Sequence, residues 1–325
     1  MQYLVKFRSI VVVLLMLALL AGTAVARGQG EGEAATQEEE KPVVGLVMKS
    51  LANEFFKTME EGAQKFAQED GTFELIAVGM NSETDIDTQV SAMENFITQQ
   101  VDMIVLAPAD SVGLVPSVKK AVDAGITVVN FDVTLNKQAL VEAGLPEDFL
   151  FVGPDNADGA EMVGNYLGET LGPGAKVIII EGNPGADNAQ QRKEGFMRSV
   201  AAYDMDLLAS RTAHWETEEA NTVVTNLLTA HPDVQGIMCA NDSMALGASK
   251  ALDAAGRSDI EIVGFDNIGA VQELIKEGKV LATIDQFGPE MAANAIKVGF
   301  RIMEGEELSG WVKTPIELVT AENFQ

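Results

Sequence analysis

The sequence predicts an α/β protein of two similar domains, each built on a parallel sheet, and three observations predict it. Short apolar runs alternate with amphipathic helical stretches from residue 43 to residue 303. The apolar runs are continuous, which is the pattern of strands covered by helices on both faces. The alternation divides near residue 150 into two runs of similar make-up, and 325 residues leave room for two cores.

In chain order, strands are predicted over 43–48, 73–78, 103–106, 127–130, 177–180, 236–239, 260–265 and 281–284. Helices are predicted over 84–98, 112–124, 157–171, 188–202, 218–230, 243–255 and 289–303. A further helix starts after Asn53, with Phe56, Met59, Ala63 and Phe66 at core spacing. Phe55 lies about 100° round from Phe56, among Thr58, Glu61, Gly62 and Lys65 on the polar side. An aromatic ring there points to a cleft wall, or else to a loop packed over it.

The amino terminus reads as an address. Lys6 and Arg8 precede the apolar run 10–21, and Ala24–Val25–Ala26 fits an A-x-A cleavage site. Residues 1–26 are therefore expected to be an export signal, or an anchor if it stays uncut. Residues 27–41 are an acidic linker without period. The net charge is −27, and loss of Lys6 and Arg8 would make it −29. Such a surface repels phosphate backbones and anionic lipid, so nucleic acid is not an expected partner. Cys239 is the only cysteine, so no internal disulfide is expected and the thiol reads as buried and inert.

Polar residues gather where strands end: Lys49 and Ser50, Asp110, Asp132, Glu181 and Asn183, Asn241 and Asp242, Asp266 and Asn267, Asp285 and Gln286. In open α/β sheets this end holds the ligand. Asp242 reads as a helix cap; Asp132 and Asp266 read as ligand contacts. Phosphate loops, a dinucleotide fingerprint and a nucleophile elbow are missing, and His214 and His231 lack metal spacing. The sequence therefore calls for no cofactor and no metal. Carboxylates, amides and rings in one cleft suit a neutral polyhydroxyl compound.

The segments "SLANEFF", "RKEGF", "AHPDVQGIMCANDSMALGASKAL", "IVGFDN" and "LATIDQ" together resemble the periplasmic sugar-binding proteins of ABC importers, of the ribose-binding type, over nearly all of 42–320. The resemblance implies two Rossmann-like lobes joined by a three-strand hinge, with the ligand in the interlobe cleft. It implies an amino-terminal lobe of 42–150 plus 287–314 and a carboxyl-terminal lobe of 151–286 plus 315–325. By position it implies contacts from Asn53, Phe55, Phe56, Asp132, Trp215, Asn241, Asp266 and Gln286. Lys49 stands where the ribose-type proteins carry serine, Val133 where they carry one arginine, and Gln190 is matched to a second arginine. With both guanidinium groups missing, ribose is not the ligand the resemblance implies; the lysine in "MKS" and the segment "FDVTL" look more like relatives that bind ketohexoses such as fructose, or sugar alcohols, with Lys49 as the charged donor.

The resemblance thus implies a monomeric, periplasmic or cell-surface receptor for a monosaccharide or polyol (pentose, ketohexose or sugar alcohol). It would hand its ligand to an inner-membrane ABC permease and could also meet a chemotaxis receptor. Two other classes compete. A sugar-responsive transcription regulator would need a helix-turn-helix where the export signal stands. A secreted carbohydrate-active enzyme would need a placed acid and base, and no pair stands out.

Overall fold

The computed structural model of the protein describes residues 40–323. The expected export signal (1–26) and residues 27–39 of the linker lie outside the described residues. Among the described residues, no helix is long and apolar enough to cross a membrane.

The first half of the chain runs β1 (Val43–Ser50), α1 (Glu54–Asp70), β2 (Glu74–Met80), α2 (Ile86–Gln99), β3 (Met103–Leu106), α3 (Val115–Asp123), β4 (Thr127–Phe131), α4 (Lys137–Glu142) and β5 (Phe151–Gly153). The second half repeats the theme: α5 (Asn156–Leu171), β6 (Lys176–Glu181), α6 (Asp187–Ala202), β7 (Asp206–Thr212), α7 (Thr217–Ala230), β8 (Gly236–Cys239), α8 (Asp242–Ala255), β9 (Glu261–Val263), α9 (Gly269–Lys276) and β10 (Ala282–Asp285). The chain then returns through α10 (Gly288–Met303) and two short strands, β11 (Trp311–Lys313) and β12 (Glu317–Thr320).

Two six-stranded sheets result, ordered β11-β5-β4-β3-β1-β2 and β12-β10-β9-β8-β6-β7. Apart from the two edge strands from the tail, each is a parallel sheet with the same order, 2-1-3-4-5 and then 7-6-8-9-10. This is the doubly wound order whose reversal point beside the first strand opens a crevice at the carboxyl ends. The central strands explain their own placement: Met103–Leu106 and Val177–Ile180 are wholly buried, as strands roofed on both faces must be. In the first lobe α1 and α10 cover one face, while α2 and α3 pack together over the other. In the second lobe α5 pairs with α6, and α7 with α8.

The chain passes between the sheets at 154–155, 286–287 and 314–316. Strand β5 pairs with β4 (Asn130 with Phe151), so residues 151–153 belong to the first sheet rather than to the second lobe where the sequence boundary had put them. Sequence reading also passed over β7, whose side chains are half buried rather than continuously apolar, and β11 and β12, which are too short to carry a period.

Candidate functional site

Between the lobes lies a small cavity lined by Lys49, Asn53, Phe55, Phe56, Asp132, Asn188, Arg192, Trp215, Asn241, Asp266 and Gln286. All of these residues are buried. Nine of the ten residues that the sequence singled out therefore meet in one place; the exception is Gln190.

The lining residues come from strand ends and from the amino-terminal turns of the helices α1 and α6. Lys49 is the penultimate residue of β1, and Asn53 caps α1 by accepting from the Phe55 N–H (3.0 Å). Phe55, on the polar side of the helix wheel, is buried, with its ring edge-on to Phe56 (5.1 Å between centroids, 72°). The start of α10 closes over it, and Gly288 permits this: a Cβ there would stand 2.7 Å from the ring. Asp132 follows β4, Trp215 follows β7, Asn241 follows β8, Asp266 follows β9 and Gln286 follows β10. Asp132, Trp215 and Asp266 hold left-handed backbone (φ 64°, 71° and 126°). Such strain persists only where the surroundings over-determine it, and it gathers here at the cavity wall. The Trp215 indole lies against Gly182, where a Cβ would stand 2.1 Å from the ring.

The second lobe contributes a guanidinium that the sequence reading had denied. Helix α6 carries Asn188 and Arg192 four residues apart, on one face, and both line the cavity. Gln190 is two residues from each, about 200° round the helix; it is exposed and donates to the Pro184 carbonyl (3.3 Å). Arg192 donates to Asn156 Oδ1 (2.8 Å), to the Ala240 carbonyl (2.8 Å) and to Asp266 Oδ1 (3.3 Å), with its guanidinium 3.6 Å from the Phe265 ring centroid. Gln286 donates to the same Asp266 oxygen (2.7 Å). Asp242 is not the cap of α8. Asn241 is, accepting from Met244 N–H (2.9 Å), while Asp242 is buried and accepts from Ile268 N–H (3.0 Å) and the Thr283 hydroxyl (2.7 Å). It thus anchors the loop that carries Asp266.

Burial sets the electrostatics. It pushes the Asp132 carboxyl up to about 6, against the pull of Lys49 and Arg192, and lifts Asp266 well above the usual carboxylate range. Neither Asp132 oxygen has a hydrogen-bond partner in the protein; nor do Asn188 Oδ1, Gln286 Oε1 and Trp215 Nε1. The Lys49 ammonium lies 3.0 Å from Glu83 Oε2, as an ion pair outside hydrogen-bond geometry, with the Phe56 and Trp215 ring centroids at 4.9 and 5.4 Å. Acceptors outnumber donors on this wall, which suits a guest rich in hydroxyls, while the rings suit its C–H faces. Among the described residues no group of acids, histidines or cysteine is placed to hold a metal ion.

The lobes are tied around the cavity. Ser111 N–H donates to the Gly185 carbonyl (2.9 Å), Thr134 to Asp187 (2.6 Å), and Glu83 N–H to Glu216 (3.2 Å). Glu54 of α1 accepts from Gly269 N–H (3.0 Å) and so caps α9 of the opposite lobe, whose own N-cap, Ile268, has no capping side chain.

Comparison with known proteins agrees with this geometry. A D-ribose/D-allose-binding protein of Pseudomonas aeruginosa is 47% identical over 290 residues, covering 87% of this chain and 90% of the relative. An ABC transporter solute-binding protein of Burkholderia multivorans, its unidentified ligand built as α-D-erythrofuranose, superposes with a TM-score of 0.83 at 44% identity, covering 87% of this chain and all of that one. One from Actinobacillus succinogenes with bound D-allose gives 0.82 at 38%, covering 87% and 98%. The family model described as periplasmic binding protein domain matches residues 44–307. With the doubled sheet and the interlobe cavity, that match places the chain in the periplasmic binding protein family.

Proposed function

We propose that the protein captures one neutral aldose, of the D-ribose or D-allose kind named for its relatives, and presents the closed form to the membrane permease of an ABC importer. One observation carries the reading: Asp132 is sealed in the cavity wall with both oxygens unpartnered. A buried carboxylate without partners is costly. Two adjacent hydroxyls would satisfy it with charge-assisted hydrogen bonds. Arg192 lines the cavity and so supplies one of the two guanidinium groups whose loss counted against ribose, which moves the reading back toward the aldoses. Val133, wholly buried after Asp132, leaves the other guanidinium missing and keeps ketohexoses and polyols as the second reading.

Binding acts by bridging: contacts made only in the closed form shift the lobes toward it. The permease, or a chemotaxis receptor, then meets a surface drawn from both lobes. No bond is made or broken, and the protein works as an exported monomer in the periplasm, or at the cell surface if segment 10–21 is retained as an anchor. A thermal-shift screen of pentoses, hexoses and sugar alcohols, followed by calorimetry, tests this. D-Ribose or D-allose should raise the melting point and give saturable heat. A response to fructose or a polyol alone would select the second reading, and silence across the panel would refute both.

A further inference from the structure

We infer that Glu83 is a positioning residue of this site: as the counter-ion of Lys49 it keeps the ammonium off Asp132 and so leaves both Asp132 oxygens available to the ligand. The inference rests on the sugar-binding reading above.

Three charged groups, each nearly or wholly buried, meet at this end of the cavity: Lys49, Asp132 and Glu83, 2%, 1% and 1% exposed. Two acids thus compete for one ammonium. In a medium of low dielectric an ammonium pairs with whichever carboxylate it can reach. Here it stands 3.0 Å from Glu83 Oε2, and Asp132 has no partner at either oxygen. Of the other charged groups around Asp132, Arg192 acts on it through its charge alone and none gives it a hydrogen bond. The hydrogen bonds of Arg192 go to Asn156, Ala240 and Asp266, none to Asp132, and Asp266 and Glu83 are themselves acidic.

Glu83 is held in place from three sides. Its Oε1 accepts from Asn53 Nδ2 (3.0 Å), its Oε2 meets Lys49, and its backbone N–H donates to Glu216 Oε1 of the other lobe (3.2 Å). One carboxylate therefore orients two cavity residues of the first lobe, from a backbone position that the second lobe touches on closure. Without the Glu83 charge, Lys49 turns to Asp132 and occupies the acceptors that sugar hydroxyls require. Nothing in the sequence marked Glu83, which stands in a polar turn between β2 and α2.

The test compares wild type, E83Q, K49M and the double variant, by calorimetry with D-ribose and D-allose. Glutamine keeps the acceptor for Asn53 and removes the charge. E83Q should bind about tenfold or more weakly, whereas in the K49M background the same change should alter affinity less than about threefold. The pH midpoint of affinity should also move down in E83Q, because Lys49 then holds Asp132 ionised. Wild-type affinity in E83Q, or an equal loss in both backgrounds with an unmoved pH midpoint, would overturn the inference. If E83Q does not fold, K49M against the double variant, in which both buried charges are gone, asks the same question: equal affinities support the inference and unequal ones defeat it. If the wild type binds neither sugar, the functional reading fails separately. Carbon-13 NMR titration of the Asp132 carboxyl in wild type and E83Q then still decides the counter-ion role, which requires a lower midpoint in the variant.

Discussion

Asp132→Asn should make the protein more stable and unable to hold its ligand. Burial raises this carboxyl from 3.8 to about 6. A group raised in the folded state contributes stability that is complete below its unfolded value and lost as pH rises through its folded value. At pH 7 that contribution is gone. At about 1.36 kcal/mol per unit, the ionised acid costs the sugar-free fold roughly 3 kcal/mol. Asparagine carries no charge at any pH, so the variant should recover up to about that amount, on the order of 5–10 °C in melting temperature. Binding moves the other way. Two hydrogen bonds to a charged acceptor are worth about 1.5–3 kcal/mol each, so affinity should fall on the order of 10²- to 10⁴-fold. Differential scanning calorimetry without sugar and titration calorimetry with it read the two effects. A variant that melts below wild type, or binds within about threefold of it, would refute the reasoning.

Other outcomes follow from the same geometry. Lowering the pH from 7 to 5 should raise the melting temperature of the sugar-free protein and shrink the shift given by sugar, because Asp132 takes up its proton near 6 and Asp266 is raised in the same direction; a sugar-induced shift that grows toward pH 5 would contradict this. Gly182→Ala should displace the Trp215 indole, since the added methyl would stand 2.1 Å from the ring, and should weaken sugar binding by about tenfold or more; calorimetry showing unchanged affinity would place the ring elsewhere. Glu54→Ala removes the cap that α9 receives across the cleft. It should speed sugar release several-fold, in line with a cap of about 0.5–2 kcal/mol, while the melting point without sugar stays near wild type, as stopped-flow fluorescence and melting curves would show.

Much of this molecule could be read before its structure, and particular residues show why. Continuous runs such as Val-Ile-Ile-Ile at 177–180 suit a doubly covered strand, so parallel sheets roofed by helices on both faces followed from the alternation, while the strand order did not. Asp132 and Asp266 were singled out because each follows a strand at the end where α/β sheets bind ligands, whereas Trp215 came from the resemblance alone, since the strand before it, β7, carries no continuous apolar run. Arg192 was missed although Asn188, one turn before it, marks the same helix face; position in the motif was followed where helix period should have been. Asp242 was taken for a cap because the sequence does not say which of two adjacent polar residues turns inward. Glu83 carried no signal, since a buried acid in a turn reads like a solvated one until the fold brings Lys49 and Asn53 to it.

The most direct measurement is a crystal structure of the protein with D-ribose or D-allose bound. The account predicts one sugar ring in the cavity, with two neighbouring hydroxyls on the Asp132 oxygens and its C–H faces against Phe56 and Trp215. A sugar seated outside that cavity, or one inside it that leaves Asp132 without a hydroxyl, would contradict the account.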